Sequence, residues 1–231
     1  MWFGTMTPPS KTLRLRMIHG AFGLATAAAV GVGVLAVSGG AVEAQRVSLA
    51  TNELAEEISF SADDAIAVLE QFEVTGSVAD EQMFAWHRAQ TARYVAKQLG
   101  YDEFAMIDAW SRASLEHQRA VLGALSQVGV PYRSNTSIED GGFDCSGLIT
   151  FAWSGAGHQL TRQSGSQISQ AEPRTDDTAM AGDLIHYPGH IMMYLGVDDA
   201  IVHSVQTGRT VEVDTLSQRH RDRVRWGDPT T

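Results

Sequence analysis

Apolar residues recur at three- and four-residue spacing between residues 45 and 113, as they do along one face of an α-helix. One stripe contains Ile66, Leu69 and Phe72, and a second stripe, rich in alanine, runs up to Gly100. Glycine just beyond a periodic run is typical of a helix end. The pattern predicts a helical region before residue 114.

Helix starts in this region are indicated by hydroxyl and carboxylate residues at capping spacing. Ser61 with Asp64, and Ser77 with Asp80, fit a capping box, in which the two side chains bind free amides of the first turn. Asp102 stands before a third apolar run. We therefore expect helices to begin near these three positions.

Two further helices are predicted in the second half of the chain. Residues 115–128 carry an apolar face and are followed by Gly129 and Pro131, which stop a helix. Residues 148–153 are apolar, and the helix that contains them should begin near Cys145.

Short strand-like runs separated by turn residues follow these helices. The runs are residues 183–187, 191–195, 200–205 and 210–213. Helices followed by an antiparallel meander predict an α+β fold.

The N-terminus has the pattern of a secretory signal peptide. Residues 1–20 carry three basic residues and no acid, residues 21–42 carry no charge, and Val42-Glu43-Ala44 offers small side chains at a cleavage position. The alternative is an uncleaved membrane anchor, because about twenty apolar residues can span a bilayer. The Gly- and Ala-rich composition and the lack of a following basic cluster favour cleavage after Ala44.

The charge of the chain excludes one class of partner. Removal of residues 1–44 takes away three basic residues and one acid, which changes the net charge from −10 to about −12. Nucleic-acid binding through phosphates needs a basic surface, so no nucleic-acid partner is expected.

Cys145 is the only cysteine in the chain, so it cannot form an internal disulfide. In an exported protein such a cysteine is an intermolecular link, a buried apolar residue or a reactive thiol. At a helix start, the helix dipole and free amides would lower the pKa of its thiol.

Two histidines could act with this thiol. His190 and His203 lie in consecutive predicted strands, which can place both side chains on one face. A thiol, a base and a residue that orients the base form the site of papain-type enzymes. The competing hypothesis is a zinc site formed by these two histidines with Asp183 and His186, although that spacing matches no known zinc motif.

Five segments follow one another along the second half of the chain: ALSQVGVPY (124–132), FDCSGLITFAW (143–153), LTRQSGSQ (160–167), GDLIHYPGHIMMYLG (182–196) and AIVHSVQTG (200–208). In these segments and in their order, the chain resembles the NlpC/P60 family of bacterial cell-wall cysteine peptidases. The resemblance implies a papain-like catalytic domain over residues 114–231, preceded by a helical region of unassigned role over residues 45–113.

The resemblance also assigns roles to individual residues. It implies that Cys145 is the nucleophile, His190 the base and His203 the orienting residue. The positions that it implies for the substrate groove are Tyr132, Asp144, Ser146, Arg162 and Ser164. The chain departs from the family at residues 133–137, where relatives carry a Trp-Gly-Gly segment, and at Thr161 and Ala181, where relatives carry proline.

The resemblance implies an exported cysteine endopeptidase that cleaves peptidoglycan stem peptides, with the cut between γ-linked D-glutamate and diaminopimelate. It implies no metal and no organic cofactor, and a membrane contact only if residues 1–44 are retained. Two alternatives remain: an amidase of the same fold that cuts between muramic acid and L-alanine, and a non-enzymatic wall-binding protein.

Overall fold

The computed structural model describes residues 52–230, where helices come first and a sheet follows. The expected signal peptide and its cleavage position lie outside these residues. Within the described part of the chain, no helix has the length and apolar character needed to cross a membrane.

Seven helices and eight strands are present among residues 52–230. The helices are α1 (Ala55–Thr75), α2 (Val78–Leu99), α3 (Glu103–Arg112), α4 (Leu115–Leu125), α5 (Cys145–Gly155), α6 (Ser164–Gln170) and α7 (Gln218–Arg221). The strands are β1 (Ser137–Ile138), β2 (Gly142–Phe143), β3 (Glu172–Arg174), β4 (Leu184–Tyr187), β5 (His190–Tyr194), β6 (Ala200–Ser204), β7 (Val211–Thr215) and β8 (Arg225–Asp228).

An antiparallel sheet of six strands, in the order β3-β8-β4-β5-β6-β7, forms one layer of the fold. Helices α4 and α5 pack on it, and β1 and β2 form a separate small ladder just before α5. The predicted α+β class is confirmed, and the four predicted strands correspond to β4, β5, β6 and β7.

Two of the three predicted helix starts are confirmed. The Ser77 hydroxyl accepts a hydrogen bond from the Asp80 amide at the start of α2, and the Asp102 carboxylate accepts one from the Ala105 amide at the start of α3. Gly100 ends α2 with φ +73°, in the left-handed region where glycine is favoured.

The third predicted helix start, at Ser61 and Asp64, is wrong. Ser61 lies inside α1, and its hydroxyl donates to the carbonyl of Ile58. The buried stripe of α1 already begins at Ile58 and continues through Ala62. Burial of this stripe therefore carries the helix upstream past the capping box.

The first three helices share their core with the sheet. Their buried apolar side chains belong to the same cluster as those of α4, α5 and the strands. The Asn52 side chain exchanges two hydrogen bonds, of 2.8 and 2.9 Å, with the backbone of Val213, and the Trp110 indole N–H donates to the Leu195 carbonyl. The division of the chain at residues 113 and 114 stays a prediction.

A buried histidine links α4 to β8 and to the residue just before β4. The Nε2 atom of His117 lies 3.2 Å from an Asp183 oxygen and 3.4 Å from an Asp228 oxygen, and its Nδ1 lies 2.7 Å from the Ser114 hydroxyl. Arg174 also donates to Asp228. The side chains of His117, Asp183 and Asp228 are each at least 95 % buried.

We expect His117→Ala to lower the free energy of unfolding by about 3–5 kcal/mol, because each of two buried carboxylates loses one of its hydrogen-bond partners. Denaturant unfolding measures the effect. His87→Ala, at a partly exposed histidine of α2, is the matched control and should change stability by less than about 1 kcal/mol. Equal stability of the two variants would contradict this account of His117.

Candidate active site

Cys145 is the first residue of α5, where the sequence places it. Asp144 caps the helix, and its carboxylate accepts a hydrogen bond of 2.8 Å from the Gly147 amide. An aspartate in this position satisfies a free amide of the first turn, which explains why the helix begins here. The thiol is partly buried, and it receives a hydrogen bond from the amide of Ile191 in β5.

The prediction that the helix start lowers the pKa of the Cys145 thiol is wrong for the protein without substrate. Burial raises the pKa of the thiol, and hydrogen bonds from the amides of Ile191 and Ser146 act in the opposite direction but are smaller in effect. The thiol therefore rests in its protonated form, and a base has to remove the proton during reaction.

His190 and His203 lie side by side, one at the first position of β5 and the other within β6. The His190 Nε2 and the His203 Nδ1 are 2.8 Å apart, and both side chains are at least nine-tenths buried. Burial, with a smaller electrostatic effect of His203, His186 and His220, lowers the pKa of His190 to about 3. His190 is thus a neutral imidazole that can accept a proton.

Sequence reasoning missed two groups beside the histidines. Asp214, on β7, has a carboxylate oxygen 3.7 Å from the His203 Nε2. Tyr187 stacks on His220 with ring centroids 4.2 Å apart, and its ring centroid is 5.5 Å from that of His190. The predicted strand ends at residue 213, so the sequence offered no reason to place Asp214 in the sheet.

Three of the expected groove residues form one network at the start of α5. The Arg162 guanidinium donates to the Asp144 carboxylate and to the Ser146 hydroxyl, each at 2.7 Å. The Asp144 carboxylate also accepts from the Asn135 amide. Although burial raises the pKa of Asp144, the hydrogen bonds from Arg162, Gly147 and Asn135 lower it overall. Their roles toward substrate stay predictions.

The other two expected groove residues border this network. Tyr132 pairs with Phe143 through a backbone bridge. Burial raises the pKa of its hydroxyl, and the charges of Cys145 and Asp144 raise it further. Ser164 is the first residue of α6 and follows Arg162 by two positions. Their roles toward substrate also stay predictions.

One group of side chains among residues 52–230 has the geometry to hold a metal ion, and it is the His117, Asp183 and Asp228 group, with donor atoms within 4.8 Å of one another. The zinc set considered from the sequence does not converge: of its members, only Asp183 belongs to this group. The hydrogen bonds from Met180 and Arg174 already occupy the second oxygen of each carboxylate.

Comparison with known proteins gives a match to the NlpC/P60 family model over residues 129–227. Peptidoglycan endopeptidase RipA of Mycolicibacterium smegmatis is 29 % identical over 133 residues, which cover 51 % of this chain and 26 % of RipA. Peptidoglycan endopeptidase RipB of Mycobacterium tuberculosis is 35 % identical over 100 residues, which cover 36 % of this chain and 42 % of RipB. The chain thus spans less than half the length of these relatives.

Two solved structures are similar in part. The P60 domain of an antigen from M. avium subspecies paratuberculosis is 27 % identical, with a TM-score of 0.43, over 50 % of this chain and 96 % of that one. RipD of M. tuberculosis, described as a non-catalytic NlpC/p60 domain protein, is 27 % identical, with a TM-score of 0.41, over 50 % of this chain and 98 % of that one. The family model covers the start of α5 and both histidine strands, so over residues 129–227 the chain is similar to the NlpC/P60 family.

Proposed function

We propose that this protein is an exported peptidoglycan hydrolase, a cysteine endopeptidase that cleaves stem peptides. The observation that carries the proposal is the hydrogen-bonded pair of His190 and His203, together with the Cys145 thiol at the start of α5, which receives a hydrogen bond from the amide of Ile191, the residue after His190. Relatives named peptidoglycan endopeptidases support a cell-wall substrate.

The geometry supports a reaction in two steps. As the Cys145 sulfur attacks the peptide carbonyl, its proton passes to His190, and amides at the start of α5 stabilise the negative oxygen. His190 then protonates the leaving amine, which breaks the peptide bond and leaves a thioester. Water, with His190 as base, hydrolyses the thioester and restores the thiol.

His203 keeps the His190 ring in the orientation that this reaction needs. With the His190 Nε2 bound to His203, the Nδ1 is the nitrogen left to take the thiol proton. Because a fixed ring already has the reactive geometry, the reaction costs less conformational entropy, and the rate rises.

The groove favours cleavage between γ-linked D-glutamate and the third residue of the stem peptide. Apart from Tyr132, its expected side chains are small or polar, and the tryptophan that relatives carry after Pro-Tyr is replaced in the segment 133–137. The Arg162 side chain remains 38 % exposed, so its guanidinium can also meet the α-carboxylate of D-glutamate. An amidase would instead have to seat the sugar ring of muramic acid, for which aromatic platforms are common.

Digestion of purified peptidoglycan, read by mass spectrometry, tests the proposed function. We expect muramyl dipeptides that end in a free glutamate carboxylate, together with peptides that begin at diaminopimelate, and no products from Cys145→Ala. Peptides that begin with L-alanine would show an amidase. Binding to peptidoglycan without any products from the wild type would show a wall-binding protein.

A further inference from the structure

Asp214 lies behind His203, on the side away from His190. In the sheet, Ile201 is opposite Asp214, and because alternate residues of a strand share a face, His203 and Asp214 lie on one face. The His203 Nε2 is buried and has no hydrogen-bond partner in the described structure, while an Asp214 oxygen lies 3.7 Å from it. A buried ring nitrogen of this kind needs a partner.

The carboxylate of Asp214 is oriented for this role. One oxygen accepts a hydrogen bond of 2.7 Å from the Thr215 amide, and the other oxygen is the one near His203. The nearby His203 ring is the main cause that lowers the pKa of Asp214, so the carboxylate is ionised at neutral pH. An ionised carboxylate can only accept, and it therefore favours a proton on the His203 Nε2.

The position of this proton determines the protonation of both histidines. When the His203 Nε2 carries the proton, its Nδ1 is a bare acceptor and receives the N–H of the His190 Nε2. The His190 Nδ1 is then also bare and can take the proton of Cys145. If the His203 proton moves to Nδ1, this nitrogen donates to the His190 Nε2 instead of accepting from it. His190 then carries its own proton on Nδ1 and presents an N–H to the thiol.

We propose that Asp214 is a positioning residue that sets the tautomer of His203 and, through it, that of the base His190. This inference rests on the proposed function, in which His190 receives the Cys145 proton. Glu212 is directly opposite His203 and is the other candidate carboxylate, but Arg209 and the Thr210 hydroxyl already occupy it. Asp214 therefore has the carboxylate oxygen that remains available to the His203 Nε2.

Other charged and titratable groups lie around Asp214, His190 and Cys145, and the variants compared below leave these groups unchanged. Arg209 and Tyr101 face Asp214 from the neighbouring turn and from the loop before α3. His186 and His220 face His190. The groups that face Cys145 are Asp144, Tyr132 and Tyr187.

The test compares Asp214→Asn with Asp198→Asn. In Asp214→Asn, the amide oxygen can keep the Thr215 contact, so the amide NH₂ points toward the His203 Nε2 and favours the reversed tautomer. Asp198 is exposed on the turn between β5 and β6, with φ 45°, which asparagine tolerates, and it controls for the loss of one negative charge. Asp214→Glu keeps the carboxylate and should restore part of the wild-type behaviour.

Two readouts do not depend on peptidoglycan. Nitrogen NMR of the histidine rings should show His203 with its proton on Nε2 in the wild type and on Nδ1 in Asp214→Asn. Alkylation of Cys145 by iodoacetamide at neutral pH should slow about tenfold in Asp214→Asn, and its pH profile should move upward, because proton transfer to His190 is disfavoured. A third readout, kcat/KM with peptidoglycan as substrate, should fall in parallel.

Unchanged tautomers and an unchanged alkylation profile in Asp214→Asn would overturn the inference, whether or not the protein cleaves peptidoglycan. A similar slowing in Asp198→Asn would also overturn it, since the effect would then be one of net charge. If the tautomers shift as expected but the wild type releases no peptides, the proposed function fails while the role of Asp214 in setting the tautomers stands.

Discussion

Replacement of Cys145 by alanine should abolish hydrolysis of peptidoglycan, with a loss of at least about 10⁴-fold and no loss of fold. The substitution removes one sulfur atom from a partly buried position at the end of α5, so little packing is lost. The loss of rate is large because no other residue can form the thioester. Released peptides, counted by mass spectrometry, measure it.

The same experiment ranks the histidines. His190→Ala should cost nearly as much as Cys145→Ala, because the protonated thiol then has no base. His203→Ala should cost about 10- to 100-fold, since water can partly replace a residue that orients the base. Cys145→Ser is the control for shape, and it should also be inactive because a hydroxyl is harder to deprotonate than a thiol. Wild-type turnover by Cys145→Ala would show that the nucleophile is assigned wrongly.

The central strands could be predicted from the sequence because each carries its own signal. All residues of β4, β5 and β6 except Tyr187 are buried, and the three strands are bounded by turn residues. β3 and β8 were not predicted. They are short and contain exposed residues, and each pairs with a strand that is distant in the chain. No local pattern reports such a pairing.

The candidate site could be predicted where short sequence motifs carry its residues. The residues around Cys145, and the two histidine strands, stand out in the sequence. Asp214 does not, because its role depends on strand register. The raised pKa of Cys145 depends on burial by other elements, which a helix start does not reveal. Arg162 and Asp144 are far apart in sequence, and only the fold shows that they bind each other.

Gly147 marks the closest approach in the candidate site. A Cβ atom at this position would lie 2.0 Å from the carbonyl oxygen of Thr136. That oxygen also accepts hydrogen bonds from the Arg162 guanidinium and from the Asp144 amide. The glycine therefore allows the loop before β1 to rest against the first turn of α5, beside Cys145.

Gly147→Ala should lower the free energy of unfolding by about 3 kcal/mol or more, because backbone atoms have to move and the hydrogen bonds to Thr136 are strained or lost. Gly155→Ala, at the other end of the same helix, meets no atom within 4 Å and is the matched control. It should be neutral or more stable by up to about 1 kcal/mol, since alanine favours helix. Denaturant unfolding of both variants measures the difference.

Gly147→Ala should also slow hydrolysis when it is assayed well below its unfolding temperature. Displacement of Thr136 moves Arg162 and Asp144, and Asp144 caps the helix that presents the thiol. If Gly147→Ala kept its stability and lost activity, the loop at Thr136 would move at little cost in free energy, and it would position only the residues of the groove. If both variants matched the wild type in stability and rate, the loop would not hold the start of α5 in place, and the cap by Asp144 alone would have to position Cys145.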